Sequence, residues 1–126
     1  FYNYLTTIDL TGAGIKAVLE QQFDNGSVGS NRILQISNGF TYTWSASAAK
    51  GSKVSDMALN GVPIDLDATY RVTCNNFLAS GGDNFTAFTA GTNLVYGRFD
   101  IDAFVDYLAD NSPVAPPAAN RITAVP

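Results

Sequence analysis

Apolar and polar positions along the chain lay out most of its elements before any chemistry is considered. Tyr4-Leu5-Thr6-Thr7-Ile8-Asp9-Leu10 is rich in β-branched and aromatic residues and predicts a first strand, punctuated by Thr11 and Gly12. Ile15, Val18 and Leu19 then fall at i, i+3 and i+4, with Phe23 at i+8. That spacing predicts one apolar face of a helix of about three turns. Asn25, Gly26, Ser27 and Gly29 predict a flexible turn after it. Leu34-Gln35-Ile36-Ser37 and Thr41-Tyr42-Thr43-Trp44-Ser45 alternate as strands do on either side of Asn38-Gly39, a turn dipeptide. Lys50-Gly51-Ser52 reads as the next turn. Val54, Met57 and Leu59 predict a strand with an irregularity near Ser55-Asp56.

Asn60-Gly61 turns the chain again, and Asp65-Leu66-Asp67 leads into a strand over Tyr70–Cys74. Phe85 and Phe88 read as core contacts, and Asn93–Tyr96 as a short strand. Asp100 is placed to cap a helix in which Ile101, Phe104, Val105 and Leu108 share one face. Pro113, Pro116 and Pro117 force Ser112–Ala119 to run extended, and Arg121-Ile122-Thr123 reads as a last strand. Strands outnumber helices and do not alternate strictly with them. The expectation is an α+β fold with a mixed or mostly antiparallel sheet and two main helices, one domain over residues 1–126.

Composition narrows the function more than the fold. A chain of 126 residues with 46% hydrophobic and 14% charged residues is ordered and can bury a real core. Its net charge of −4 and scattered basic residues argue against a nucleic-acid polymer or an anionic membrane as partner. No stretch approaches the roughly 20 continuous apolar residues of a membrane span. No signal peptide opens the chain, which begins as if in mid-strand and reads as an excised fragment. Cys74 is the single cysteine and sits in an apolar β run, where an inert buried thiol is expected. The chain has no histidine, which removes the usual general base and the commonest transition-metal ligand together. A Ser-His-Asp or Cys-His centre is excluded, and no metal ligand set is expected.

The informative stretch is Asn75-Asn76-Phe77-Leu78-Ala79-Ser80-Gly81-Gly82-Asp83-Asn84-Phe85, which follows the Tyr70–Cys74 run. Gly81 and Gly82 allow positive φ angles and a close approach of backbone to another molecule. Phe77 offers a flat apolar face and Asp83 two acceptor oxygens, the pair of features that a nucleoside needs. Each has a plainer reading: Phe77 as a core side chain, Asp83 as a loop cap bonding backbone amides two residues on. Asn75 reads as structural; Asn76 reads either as a pocket group or as a support for the loop backbone. Asp100, Asp102 and Asp106 read as a solvated helix start, and Asp65 and Asp67 as turn residues without the ligand count of a calcium loop.

Asn76-Phe77-Leu78-Ala79-Ser80-Gly81-Gly82-Asp83-Asn84-Phe85 resembles the Asn-Phe-Leu-Ala-x-Gly-Gly-Asp-Gly-Phe signature of the 5′-nucleotidase C-terminal domain. Three further stretches are similar to that family in the same order. They are Phe1–Gly12 with the Leu-Glu helix after it, Leu34–Ser37 through Tyr42, and Arg121-Ile122. Asn84 and Asn120 stand where the family has glycine; asparagine tolerates similar backbone angles. The family's Asn-x-Gly-x-Ile-Arg segment, which contacts substrate, falls upstream of Phe1.

The resemblance implies a substrate-binding domain of a secreted nucleotide phosphoesterase, located extracellularly, in the cell wall or in the periplasm. It implies that an N-terminal domain of the same chain carries two divalent metal ions and hydrolyses the phosphate. Phe77 falls on one base-stacking aromatic, Phe1 on the second, and Asp83 on the carboxylate that holds the ribose. Asn76, Gly81 and Gly82 fall beside them in the expected substrate site. No residue of this chain is expected to be catalytic or to bind metal, and the fragment alone is expected to be inactive. The competing expectation is a non-catalytic surface interaction module on the same fold.

Overall fold

The computed structural model describes residues 1–126. In chain order the elements are β1 (Tyr4–Thr11), α1 (Gly12–Glu20), β2 (Phe40–Ser45), β3 (Val54–Leu59), β4 (Val62–Pro63), β5 (Thr69–Asn75) and α2 (Asn76–Ala79). Two 3₁₀ turns follow (Gly82–Asn84 and Thr86–Ala90), then β6 (Thr92–Phe99), α3 (Asp100–Asn111) and β7 (Ile122–Val125). The strands form two sheets. One is three-stranded and antiparallel in the order β5-β1-β6; the other is four-stranded in the order β4-β3-β2-β7. The parallel pairing of β2 with β7 makes the second sheet mixed. The α+β expectation holds, with the strands shared between two sheets and two helices longer than one turn.

Helix α1 is the wedge between the sheets. Thr11 caps it, its hydroxyl accepting from the Gly14 amide at 3.0 Å. Val18 joins Ile8, Leu10, Phe85 and Phe88 on the side of the first sheet. Its neighbour Leu19 joins Phe23, Tyr42, Val54 and Met57 on the side of the second, and Ile15 packs against both clusters. Gly12 is needed where the helix begins, since a Cβ there would lie 2.2 Å from the Asp65 carbonyl oxygen. Two buried polar side chains finish the join. The Glu20 carboxylate accepts from the Lys53 amide at 3.1 Å and the Val54 amide at 2.7 Å. The Gln22 amide donates to the Leu19 carbonyl and the Tyr42 hydroxyl, and accepts from the Leu34 amide at 2.7 Å.

Several sequence expectations need correction. Leu34–Ser37 forms no strand and joins no sheet: Gln22 takes the Leu34 amide and the Arg121 guanidinium takes the Ile36 carbonyl at 2.7 Å. Asp100 is not the cap of α3; it is the first helical residue, and no side chain caps that end. The face carrying Ile101, Phe104 and Val105 is exposed. By contrast, the irregularity near Ser55-Asp56 is real. Thr41 pairs with Ala58 and Thr43 with Ser55, so two residues of β3 oppose Tyr42, and Asp56 takes φ 52°. Asn60 and Gly61, at φ 51° and 79°, make the tight turn from β3 into β4.

Candidate functional site

The glycine loop is fixed at both ends, and its middle is tied to a second loop through Asp83 and Asn84. At its start the Asn75 side chain accepts from the Leu78 amide at 2.8 Å and caps α2, a structural role. The Asn76 Oδ1 accepts from the Tyr4 amide at 2.7 Å, fastening the loop to the start of β1. At the far end Phe85 is buried in the first core cluster. Between these anchors Gly81, Asp83 and Asn84 all take left-handed angles, at φ 86°, 52° and 64°. Only glycine adopts that region without cost, and Asp and Asn are the side-chain residues that visit it most readily.

That backbone decides where the candidate side chains stand. Phe77 is not a core residue; it is 47% exposed. Its ring lies over Gly82, where a Cβ would come 2.6 Å from both Cε1 and Cζ. Gly82 is therefore the support that lets the aromatic ring lie against the loop. The Asp83 carboxylate does not cap the loop either. It is half exposed and meets the Arg32 guanidinium at 2.6 Å. Phe77, Gly81, Gly82 and Asp83 thus share one short surface segment. Asn76 stands at its base with its side-chain oxygen turned to backbone. Phe1 is fully exposed, grouped with Tyr2, Asp100, Ile101 and Phe104 at the start of α3, and no ring contact joins it to Phe77.

Arg32 was not legible as a site residue. It is one basic side chain in a polar loop, and nothing near it in sequence points to Asp83. The loop over residues 24–31 closes on itself through Asn25 N to Ser30 O at 2.7 Å and Gly29 N to the Asp24 carboxylate at 2.7 Å. Asn25 then ties it to the glycine loop, donating to the Asp83 carbonyl at 2.9 Å and accepting from Asn84 Nδ2 at 3.0 Å.

The model of the family described as "5′-nucleotidase, C-terminal domain" matches residues 1–90. The chain belongs to that family. A 5′-nucleotidase-related protein of Glossina morsitans morsitans is 37% identical over 99% of this domain, which covers 24% of that protein. The cell wall protein Lmo0130 of Listeria monocytogenes is 32% identical over 87% of it, covering 14% of that protein. The solved structure of a 5′-nucleotidase precursor from Thermus thermophilus superposes with a TM-score of 0.85. It is 36% identical over 98% of the domain, which covers 25% of that chain. The domain therefore spans a quarter or less of these relatives.

Within the domain no three His, Cys, Asp or Glu side chains come together. No helix is long and apolar enough to cross a membrane. Cys74 lines an apolar cavity of about 520 Å³ between β5 and the Leu34–Ser37 segment. Burial pushes its thiol up to about 11. Since the thiolate is the reactive form, the native thiol at pH 8 is expected to react with a disulfide reagent at least about tenfold more slowly than the urea-unfolded chain. The native rate should rise as pH approaches 11; equal native and unfolded rates at pH 8 would contradict the burial.

Proposed function

We propose that this domain holds the nucleoside of a nucleotide substrate for an N-terminal phosphoesterase domain of the same chain. Phe77 stacks the base and Asp83 accepts hydrogen bonds from the ribose hydroxyls, with Gly81 and Gly82 letting the ligand approach the backbone. The observation that carries the reading is the loop itself: a half-exposed ring supported on Gly82, one residue from a half-exposed carboxylate. Phe1 supplies the second stacking face in this reading, and Asn76 holds the loop in register with β1. Hydrolysis, and the two divalent metal ions that perform it, belong to the N-terminal domain. The domain contributes position rather than chemistry, since it offers no nucleophile–base pair and no histidine. An extracellular, cell-wall or periplasmic setting is supported by the Listeria cell wall relative.

The test is an NMR titration of the isotope-labelled chain with adenosine. Shifts centred on Phe77 and Asp83, saturating at roughly millimolar ligand and lost in Asp83→Ala, are expected, as befits a single stacked base and one charged grip. The Listeria relative also favours a second reading, a surface interaction module without nucleoside binding. Spectra unmoved by adenosine, here and with the N-terminal domain attached, would leave that second reading standing.

A further inference from the structure

We infer that Arg32 is a specificity residue of the ribose edge, and that it adapts the site to a ribose carrying a phosphoryl group on its 2′ or 3′ oxygen. The inference rests on the nucleoside reading of Phe77 and Asp83. It starts from a residue 51 positions away in sequence whose guanidinium meets the Asp83 carboxylate at 2.6 Å. A bare carboxylate accepts hydroxyl protons well and repels a phosphoryl oxygen at the same place. Paired with Arg32, Asp83 presents no net charge, and the guanidinium keeps N–H donors to spare, since its one side-chain contact is Asp83 Oδ1. A planar fork of such donors matches phosphate geometry.

The pair is held by construction. Arg32 donates its backbone amide to the Gln22 carbonyl at 2.8 Å, next to α1. Asn25 and Asn84 tie the loop that precedes it to the Asp83 segment at two further points. Asp24, the other carboxylate of that loop, accepts from the Gly29 amide and makes no ion pair with Arg32. With both side chains about half exposed, the ion pair itself contributes little to folding. The guanidinium can therefore offer its remaining N–H donors to a ligand phosphate while staying paired with Asp83, and its backbone stays in place.

The experiment titrates the labelled chain with adenosine and with adenosine 3′-phosphate at one low ionic strength, as wild type, Arg32→Ala and Arg32→Lys. Wild type is expected to bind the 3′-phosphate at least as tightly as adenosine. Arg32→Ala should weaken the 3′-phosphate by about tenfold or more and leave adenosine within about threefold, and Arg32→Lys, which keeps the point charge, should recover part of the loss. A wild type that binds adenosine and rejects the 3′-phosphate would overturn the inference. So would equal losses of both ligands in Arg32→Ala, which would mark a purely structural role. No response to adenosine in any variant would instead sink the nucleoside reading, and the inference with it.

Discussion

Phe77→Ala is expected to weaken adenosine binding by about 5- to 150-fold, the range that corresponds to ~1–3 kcal/mol for one stacked base. The ring is about half buried, so its removal should lower the thermal midpoint by only a few degrees, far less than its effect on binding. Gly82→Ala should reach the same binding loss without removing any group that touches the ligand. Its methyl group would stand 2.6 Å from Cε1 and Cζ of Phe77 and 2.6 Å from the Phe77 carbonyl, so ring and backbone must both shift. Overpacking of that kind costs about 1–3 kcal/mol of stability. The decisive measurement is the double variant. If Gly82 acts by supporting the ring, Phe77→Ala/Gly82→Ala binds no more weakly than Phe77→Ala alone. Losses that simply add would show that Gly82 contributes to binding independently of the ring.

Weak binding by such a loop suits the division of labour proposed for the whole protein. A domain that gripped the nucleoside tightly in every state would favour bound substrate without favouring the transition state. A surface loop with one ring, one carboxylate and one movable guanidinium can load and release quickly, leaving the chemistry to a site elsewhere. The loop's own rigidity is what makes this workable. Asn75, Asn76 and Phe85 fix its two ends, so the ring and the carboxylate keep their spacing although both are open to solvent.

Much of this arrangement was legible because short-range rules governed it. The Ser55-Asp56 irregularity, the Asn60-Gly61 turn and the burial of Phe85 and Phe88 depend on local backbone preference and on apolar spacing, and the structure has all of them. Alternation over Leu34–Ser37 predicts a strand that does not form, because alternation reports which side chains face inward, not where the amides go. A buried glutamine and a distant arginine take backbone groups that a ladder would otherwise use. The helix face of Ile101, Phe104 and Val105 is apolar in pattern and exposed in fact, because periodicity gives the face but not its cover. Arg32 lay beyond reach for a related reason. Its meeting with Asp83 depends on two loops brought together by the packing of α1 between the sheets.

Glu20→Ala is expected to be the most destabilising single polar change, lowering stability by about 3–5 kcal/mol. Glu20 is the last residue of α1 and is 8% exposed, and its two carboxylate oxygens receive the Lys53 and Val54 amides where β3 begins. Alanine would leave two backbone donors without partners at the start of β3, each costing ~1–3 kcal/mol when water cannot replace the acceptor. For a domain of this size the thermal midpoint should then fall by roughly 10–20 °C. Glu20→Gln keeps one acceptor oxygen and should show about half the loss. Hydrogen exchange distinguishes this from a general loosening, because the Lys53 and Val54 amides should lose protection before those of β1 and β5. Uniform loss across both sheets would mean that Glu20 does not pin β3, and that apolar packing of Leu19, Phe23 and Val54 alone holds the second sheet to α1.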